Sequence, residues 1–194
     1  MSSGDPATRA KILETTRRLV EQSGGETVTM QQISEAAGVS RQALYLHFGS
    51  RVGLMVATAQ FVDENDQFYE RTEEVRQAVN GLAALEAFIS FWSDYVVGIT
   101  PLARVLIKNR DTDQAAAAAW ADRMDALRNV CQILVEWLEQ DGFLDPVWTV
   151  NAATDILWMM ISIETRDNLV AERGWSNDEY EQRLLRGIVK ILTV

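Results

Sequence analysis

A single histidine, His47, and a single cysteine, Cys131, bound the covalent chemistry open to this 194-residue chain. A serine–histidine triad, a histidine-bearing zinc site or a histidine general base would each have to use His47. Its neighbours are Tyr45 and Phe48, with no acidic side chain within a helical turn. One cysteine and one histidine leave no transition-metal cluster, and no glycine-rich phosphate loop occurs. Neither catalysis nor a metal or cofactor is therefore expected. What remains is recognition chemistry, in two sets. Near the N-terminus, Thr29, Arg41, Gln42, Tyr45, His47 and Arg51 are polar or cationic. Farther along, Trp92, Tyr95, Trp120, Met124, Trp158 and Met159 are the aromatic and thioether types that line apolar ligand cavities.

The first set is positioned by Thr29 to Leu54, which reads as two short helices, a glycine turn and the start of a third. Thr29 with Gln32 makes a capping box, and Met30, Ile33, Ala36 and Ala37 recur at helical spacing. Gly38 ends that helix because it takes positive φ without a Cβ penalty. Val39 plugs the turn and Ser40 caps a helix over roughly Arg41 to His47. Ala43, Leu44 and Phe48 face inward on that helix, leaving Arg41, Gln42, Tyr45 and His47 outside. The arrangement is a helix-turn-helix with an exposed polar second helix. Arginine pairs bidentately with guanine and glutamine with adenine, so Arg41 and Gln42 suit base edges in a major groove. Thr29, Tyr45, His47 and Arg51 suit phosphates, which fix register.

The stretch ISEAAGVSRQALYLHFGSRVGL resembles the signature of the TetR family of transcriptional regulators over about 22 residues. Ser34 stands where that pattern has a small alanine, Gln42 where glycine or threonine is common, and Arg51 where lysine is usual. Gly49 occupies a position that is often a second lysine, which removes one phosphate contact and implies slightly weaker non-specific binding. The resemblance implies an N-terminal DNA-binding module on a larger all-helical remainder. It also implies that ligand in the remainder tilts a connecting helix and moves two reading heads apart.

Charge is distributed to suit this. The net charge of −10 opposes contact with a polyanion, yet residues 1–60 hold six basic and five acidic side chains. The remaining residues carry a net −11, so the first segment alone can approach phosphate without a large penalty. No apolar run approaches the ~18 residues of a membrane span, and MSSGDPATRAK lacks a signal-peptide core. With one cysteine excluding an intrachain disulfide, a cytoplasmic location and no membrane partner are expected.

Helical period continues throughout, and the fold class expected is all-α. Asp5-Pro6 opens a first helix that Gly24-Gly25 stops, its Arg9, Arg17 and Arg18 solvated or at phosphate. Ser50 caps a helix to about Val75 whose second half is mostly charged, as befits a connector. Further helices are expected over Leu82–Gly98, from Pro101 to about Asn109, from Asp113 to Gln140, from Asp145-Pro146 to about Glu172, and from Ser176 to Leu192, with Ser176 and Glu179 as a second capping box. The domains are thus 1–50 for DNA binding, 51–75 as connecting helix, and 76–194 as an effector-binding and dimerisation bundle.

Trp148–Ile163 is apolar nearly all round, and the last helix has a similar surplus. Ile156, Met160, Ile163, Leu184, Leu185, Ile188 and Leu192 are therefore assigned to a homodimer interface. Asp155 and Glu164 are expected to pair with Arg123, Arg128 or Arg166. Three functions are open: a ligand-responsive dimeric repressor, a helical enzyme with a vestigial helix-turn-helix, and an architectural or protein-interaction module without a small-molecule effector. The shortage of nucleophiles, bases and metal ligands disfavours the second. The aromatic surplus disfavours the third. The expected partners are palindromic operator DNA, a second copy of the chain, and an apolar or aromatic effector, neutral or weakly charged because the second domain is acidic.

Overall fold

The structure, a computed structural model, describes residues 5–23, 28–65 and 72–194. It is all-α, and among the described residues the only extended pairing is a bridge between Leu144 and Thr193. The helices are α1 (Pro6–Gln22), α2 (Met30–Ala37), α3 (Arg41–Phe48), α4 (Arg51–Asn65), the single turn α5 (Glu73–Arg76), α6 (Gly81–Asn109), α7 (Gln114–Gln140), α8 (Val150–Met160), α9 (Ile163–Asp167), and α10 (Asn177–Leu192).

Two compact units divide the chain, one over Met1–Phe68 with Gly98–Asp122, the other over Tyr69–Val97 with Arg123–Val194. In the first, Ile12, Leu13 and Val20 of α1 meet Ile33 and Ala37 of α2, Leu44 of α3, and Leu54, Met55 and Val62 of α4. Leu102 and Val105, from the second half of α6, join this core. The N-terminal module therefore recruits Leu102 and Val105 from well beyond the end of α4, which local periodicity does not reveal. The core of the second unit combines Leu85, Phe88, Ile89 and Trp92 of α6, Leu134, Val135 and Leu138 of α7, Leu157 of α8, and Tyr180 and Ile188 of α10.

Several sequence expectations change here. Pro101 does not open a helix of its own, because α6 runs unbroken through it. A proline inside a helix forfeits one main-chain hydrogen bond, costing ~3 kcal/mol, and burial of Leu102, Val105 and Leu106 on the turn that follows offsets that cost. α6 is also long and apolar enough to cross a membrane, contrary to the expectation that no such stretch exists. Its apolar residues are spent instead on two protein cores.

Asp145-Pro146 forms a turn rather than a helix start: Asp145 accepts from the Val147 and Trp148 main chain, and Thr149 caps α8. The apolar helix predicted to reach Glu172 is broken at Ile161. Ser162 caps α9 through the Thr165 N–H, and a π-helical turn follows over Asn168–Glu172. Of the capping box at Ser176, the serine half forms, while Glu179 turns its carboxylate to Arg183 at 2.8 Å. The connecting helix is described to Asn65, and the predicted stop at Gly24-Gly25 lies outside the described residues.

Candidate nucleic-acid interface and bundle sites

Four local devices hold α3. Thr29 and Gln32 form the reciprocal capping box that starts α2, the Thr29 hydroxyl donating to Gln32 Oε1 at 2.8 Å and accepting from the Gln32 N–H at 3.2 Å. Gly38 closes the turn at φ 68°, where a side chain would be strained. Ser40 caps α3 by accepting from the Ala43 N–H at 3.1 Å. At the far end the Gly49 N–H returns to the Tyr45 carbonyl at 2.9 Å, and Ser50 caps α4 through the Gly53 N–H.

So held, α3 turns Leu44 fully into the core and presents Arg41, Gln42, Tyr45 and Leu46 to solvent. His47 is half-buried, its ring 5.8 Å from that of Phe48. Arg51 donates Nε to the Val28 carbonyl at 3.0 Å, strapping the start of α4 to the segment before α2. Thr29 is exposed, but its hydroxyl proton is committed to the capping box.

Around this face, α1 supplies cations. The Arg9 guanidinium lies 5.5 Å from the centre of the Phe48 ring, and Lys11 Nζ is 3.7 Å from where a Cβ on Gly38 would stand. Arg17 is instead tied to Glu14 and Glu21 on its own helix. Sequence reasoning left Lys11 and Leu46 without a role. The signal for Leu46 was present, since it lies two residues, roughly 200° around the helix, from inward-facing Leu44.

In the second unit the aromatic residues have mostly structural partners. Trp92 donates its indole N–H to the Ile161 carbonyl at 2.9 Å, so the break between α8 and α9 keeps its main chain satisfied. Trp92 and Tyr95 are brought together with ring centres 6.0 Å apart, and Phe88 and Phe91 complete the cluster. Trp158 donates to the Met124 carbonyl at 3.2 Å, which joins α8 to α7. Trp120 is buried but belongs to the first compact unit. Met159 is half exposed and faces an open groove of about 200 Å³ shared with Met160, Leu169, Trp175, Arg183 and Leu184. The Arg183 guanidinium lies 5.3 Å from the centre of the Trp175 ring.

Asp155 is paired with Arg128 at 2.8 Å, which removes it as a free ligand-orienting charge. Buried Arg166 donates to Asn177 at 2.6 Å and lies 6.0 Å from the Tyr180 ring. Burial pushes the Cys131 thiol up to about 12, so it stays protonated and unreactive at neutral pH.

Of the residues assigned to a dimer interface, Ile163, Leu184, Ile188 and Leu192 are at most 6% exposed within a single chain. These four already complete their packing in the bundle interior. Ile156, Met160 and Leu185 keep part of their surface, with Met159 and Ile191 exposed beside them in the same two helices.

Residues 12–58 match the family described as bacterial regulatory proteins, tetR family. The chain is similar to the HTH-type transcriptional regulator TtgR of Pseudomonas putida, 30% identical over 82 residues, 42% of this chain and 39% of that one. It is also similar to the HTH-type transcriptional repressor AcnR of Corynebacterium glutamicum, 39% identical over 62 residues, 31% of this chain and 33% of that one. The chain thus spans about two fifths or less of the length of these curated relatives. Among solved structures, a transcriptional regulator from Saccharomonospora viridis in complex with choline superposes with TM-score 0.83 at 16% identity, covering 98% of this chain and 100% of that one. The regulator FadR from Bacillus subtilis in complex with stearoyl-CoA superposes with TM-score 0.71 at 17% identity, over 92% and 96%. At these identities the likeness speaks for the fold.

Proposed function

We propose, from the match of residues 12–58 to the tetR family of bacterial regulatory proteins, that this chain is a dimeric, ligand-released repressor of transcription. The observation that carries the reading is the outward face of α3, where Arg41 and Gln42 stand exposed beside Tyr45 on a rigidly capped helix. Two such helices in a dimer enter successive major grooves of a palindromic site. Arg41 reads guanine and Gln42 adenine, while Thr29, Tyr45, His47 and Arg51 hold phosphates. Thr29 does so only by giving up a bond to Gln32 Oε1, to which both its hydroxyl and its main-chain N–H donate. Residues 1–50 bind DNA, 51–75 connect, and 76–194 bind effector and dimerise. The protein acts in the cytoplasm by binding rather than by catalysis.

The test begins with selection of duplexes from a random pool by the purified protein. Arg41→Ala should then cost about 1–3 kcal/mol and relax base preference at one position per half-site. Arg51→Ala should weaken all sequences alike and flatten the salt dependence by about one unit per half-site. Uniform losses in both variants, with base preference intact, would remove Arg41 from base reading.

For the effector we propose an apolar or aromatic molecule, neutral or cationic. The second unit is rich in tryptophan, and the sequence beyond residue 60 carries a net −11. The choline complex of the Saccharomonospora viridis regulator favours a cation, since aromatic faces attract quaternary ammonium groups. The stearoyl-CoA complex of FadR favours a long acyl chain, whose polyanionic head would here meet an acidic unit. Ligand acts only through its preference for the form that does not bind DNA: a hundredfold preference, about 2.7 kcal/mol, lowers operator affinity by the same factor. Choline, longer quaternary ammonium compounds, neutral aromatics and acyl-CoA should be compared for release of a bound operator. Release by acyl-CoA alone would sink the proposed effector class. Trp92→Ala is not a clean probe, because the Trp92 indole also holds the Ile161 carbonyl.

A further inference from the structure

We infer that Leu46 is a specificity residue that recognises the C5-methyl group of a thymine in each operator half-site; this rests on the DNA-binding reading above. Among the described residues of the first unit, the only large apolar side chains exposed to solvent are Tyr45 and Leu46, both on α3. Tyr45 carries a hydroxyl that suits a phosphate. Leu46 has no polar atom, yet it is 67% exposed, while Leu44 two residues before it is fully buried. An isolated exposed leucine needs no explanation on an ordinary surface. Here it stands on the exposed side of the second helix of a helix-turn-helix, one helical turn beyond Gln42.

Both Gln42 and Leu46 lie roughly 200° from Leu44, so they share the ridge pointing farthest from the core. A ridge of glutamine followed one turn on by leucine matches a major-groove surface with an adenine edge beside a thymine methyl. That methyl is the one apolar group the major groove offers. Cytosine lacks it and presents an amino donor there, which leucine cannot satisfy. The neighbouring charges also favour DNA over a protein partner. Arg41 shares the exposed side of α3, Arg9 stands over Phe48, and Lys11 lies beside the turn.

The test replaces each thymine of the selected operator in turn by deoxyuridine, which lacks only the methyl group, and measures binding of the wild type and Leu46→Ala. Leu46 is exposed, so the variant should fold as the wild type does, with circular dichroism and melting temperature as the check. For the wild type, one thymine per half-site should lose about fourfold in affinity on losing its methyl, the worth of about one buried methyl group. For Leu46→Ala the same replacement should change affinity by less than about 1.5-fold. If no thymine shows this difference between the two proteins, the inference is overturned while the operator reading stands. Equal weakening of all sites by Leu46→Ala, with the methyl effect retained, would likewise overturn it. A pool that yields no enriched sequence would overturn the operator reading itself, and this inference with it.

Discussion

Gly53→Ala should abolish operator binding although it substitutes none of the proposed DNA contact residues. A Cβ at position 53 would stand 2.2 Å from the Phe48 carbonyl oxygen, and that oxygen is backbone that no rotamer change can move. The clash falls at the junction of α3 and α4, where the Gly53 N–H is also the donor to the Ser50 cap at 2.9 Å. Relief requires the first turn of α4 to move away from α3. The next two residues, Leu54 and Met55, are fully buried in the core beneath the reading helix. Overpacking of this kind costs about 1–3 kcal/mol or more, a large share of the stability of a small module. The expected result is a lowered melting temperature and loss of specific DNA binding together. Gly49→Ala is the control. Nothing lies within 4 Å of an added Cβ at Gly49, so that variant meets no clash and carries only the backbone strain of φ 69° and ψ −46°, about 1–3 kcal/mol. A Gly53→Ala protein that melts and binds as the wild type does would refute the close approach.

Leu185→Asp should convert a dimer into folded monomers and reduce operator affinity by about two orders of magnitude or more, since two linked reading heads gain that much from effective concentration. Leu185 keeps part of its surface exposed in a single chain, so a carboxylate there is tolerated by the bundle and penalised only against a partner. Ile188→Asp has a different expected outcome. Ile188 is fully buried one turn away, and an unpaired carboxylate there should unfold the bundle rather than split a dimer. Sedimentation with circular dichroism separates the two variants. A wild type that sediments as a monomer at micromolar concentration would defeat the interface proposal, as would a Leu185→Asp protein that remains dimeric.

The contrast between those leucine and isoleucine positions marks the boundary between what periodicity and what packing decides. Thr29 to Leu54 was legible from the chain alone because its devices are short-range: a hydroxyl reaching a main-chain N–H three residues on, a glycine at positive φ, an inward leucine. The outward placement of Arg41, Gln42 and Tyr45 follows from the same local geometry, and so does the all-helical class. Local pattern could not say how the apolar surplus of α8 and α10 is divided between one chain and a second. Spacing marks Leu184, Leu185 and Ile188 alike as apolar, and only the packed bundle distinguishes two buried side chains from one that keeps surface.

Long-range contacts decided the rest. The Trp92 indole satisfies a carbonyl 69 residues away and so permits the break at Ile161 that a continuous apolar run conceals. Leu102 and Val105 find a core built from residues before 63, which lets α6 continue through Pro101 instead of restarting there. Gly53 is in part a requirement of close backbone approach between α3 and α4, invisible in a one-dimensional pattern that reads glycine only as a helix breaker. Hydrogen bonds within a turn are determined by residue type and spacing. Burial, close approach and the satisfaction of a broken helix depend on which distant segment arrives, and those the tertiary structure alone decides.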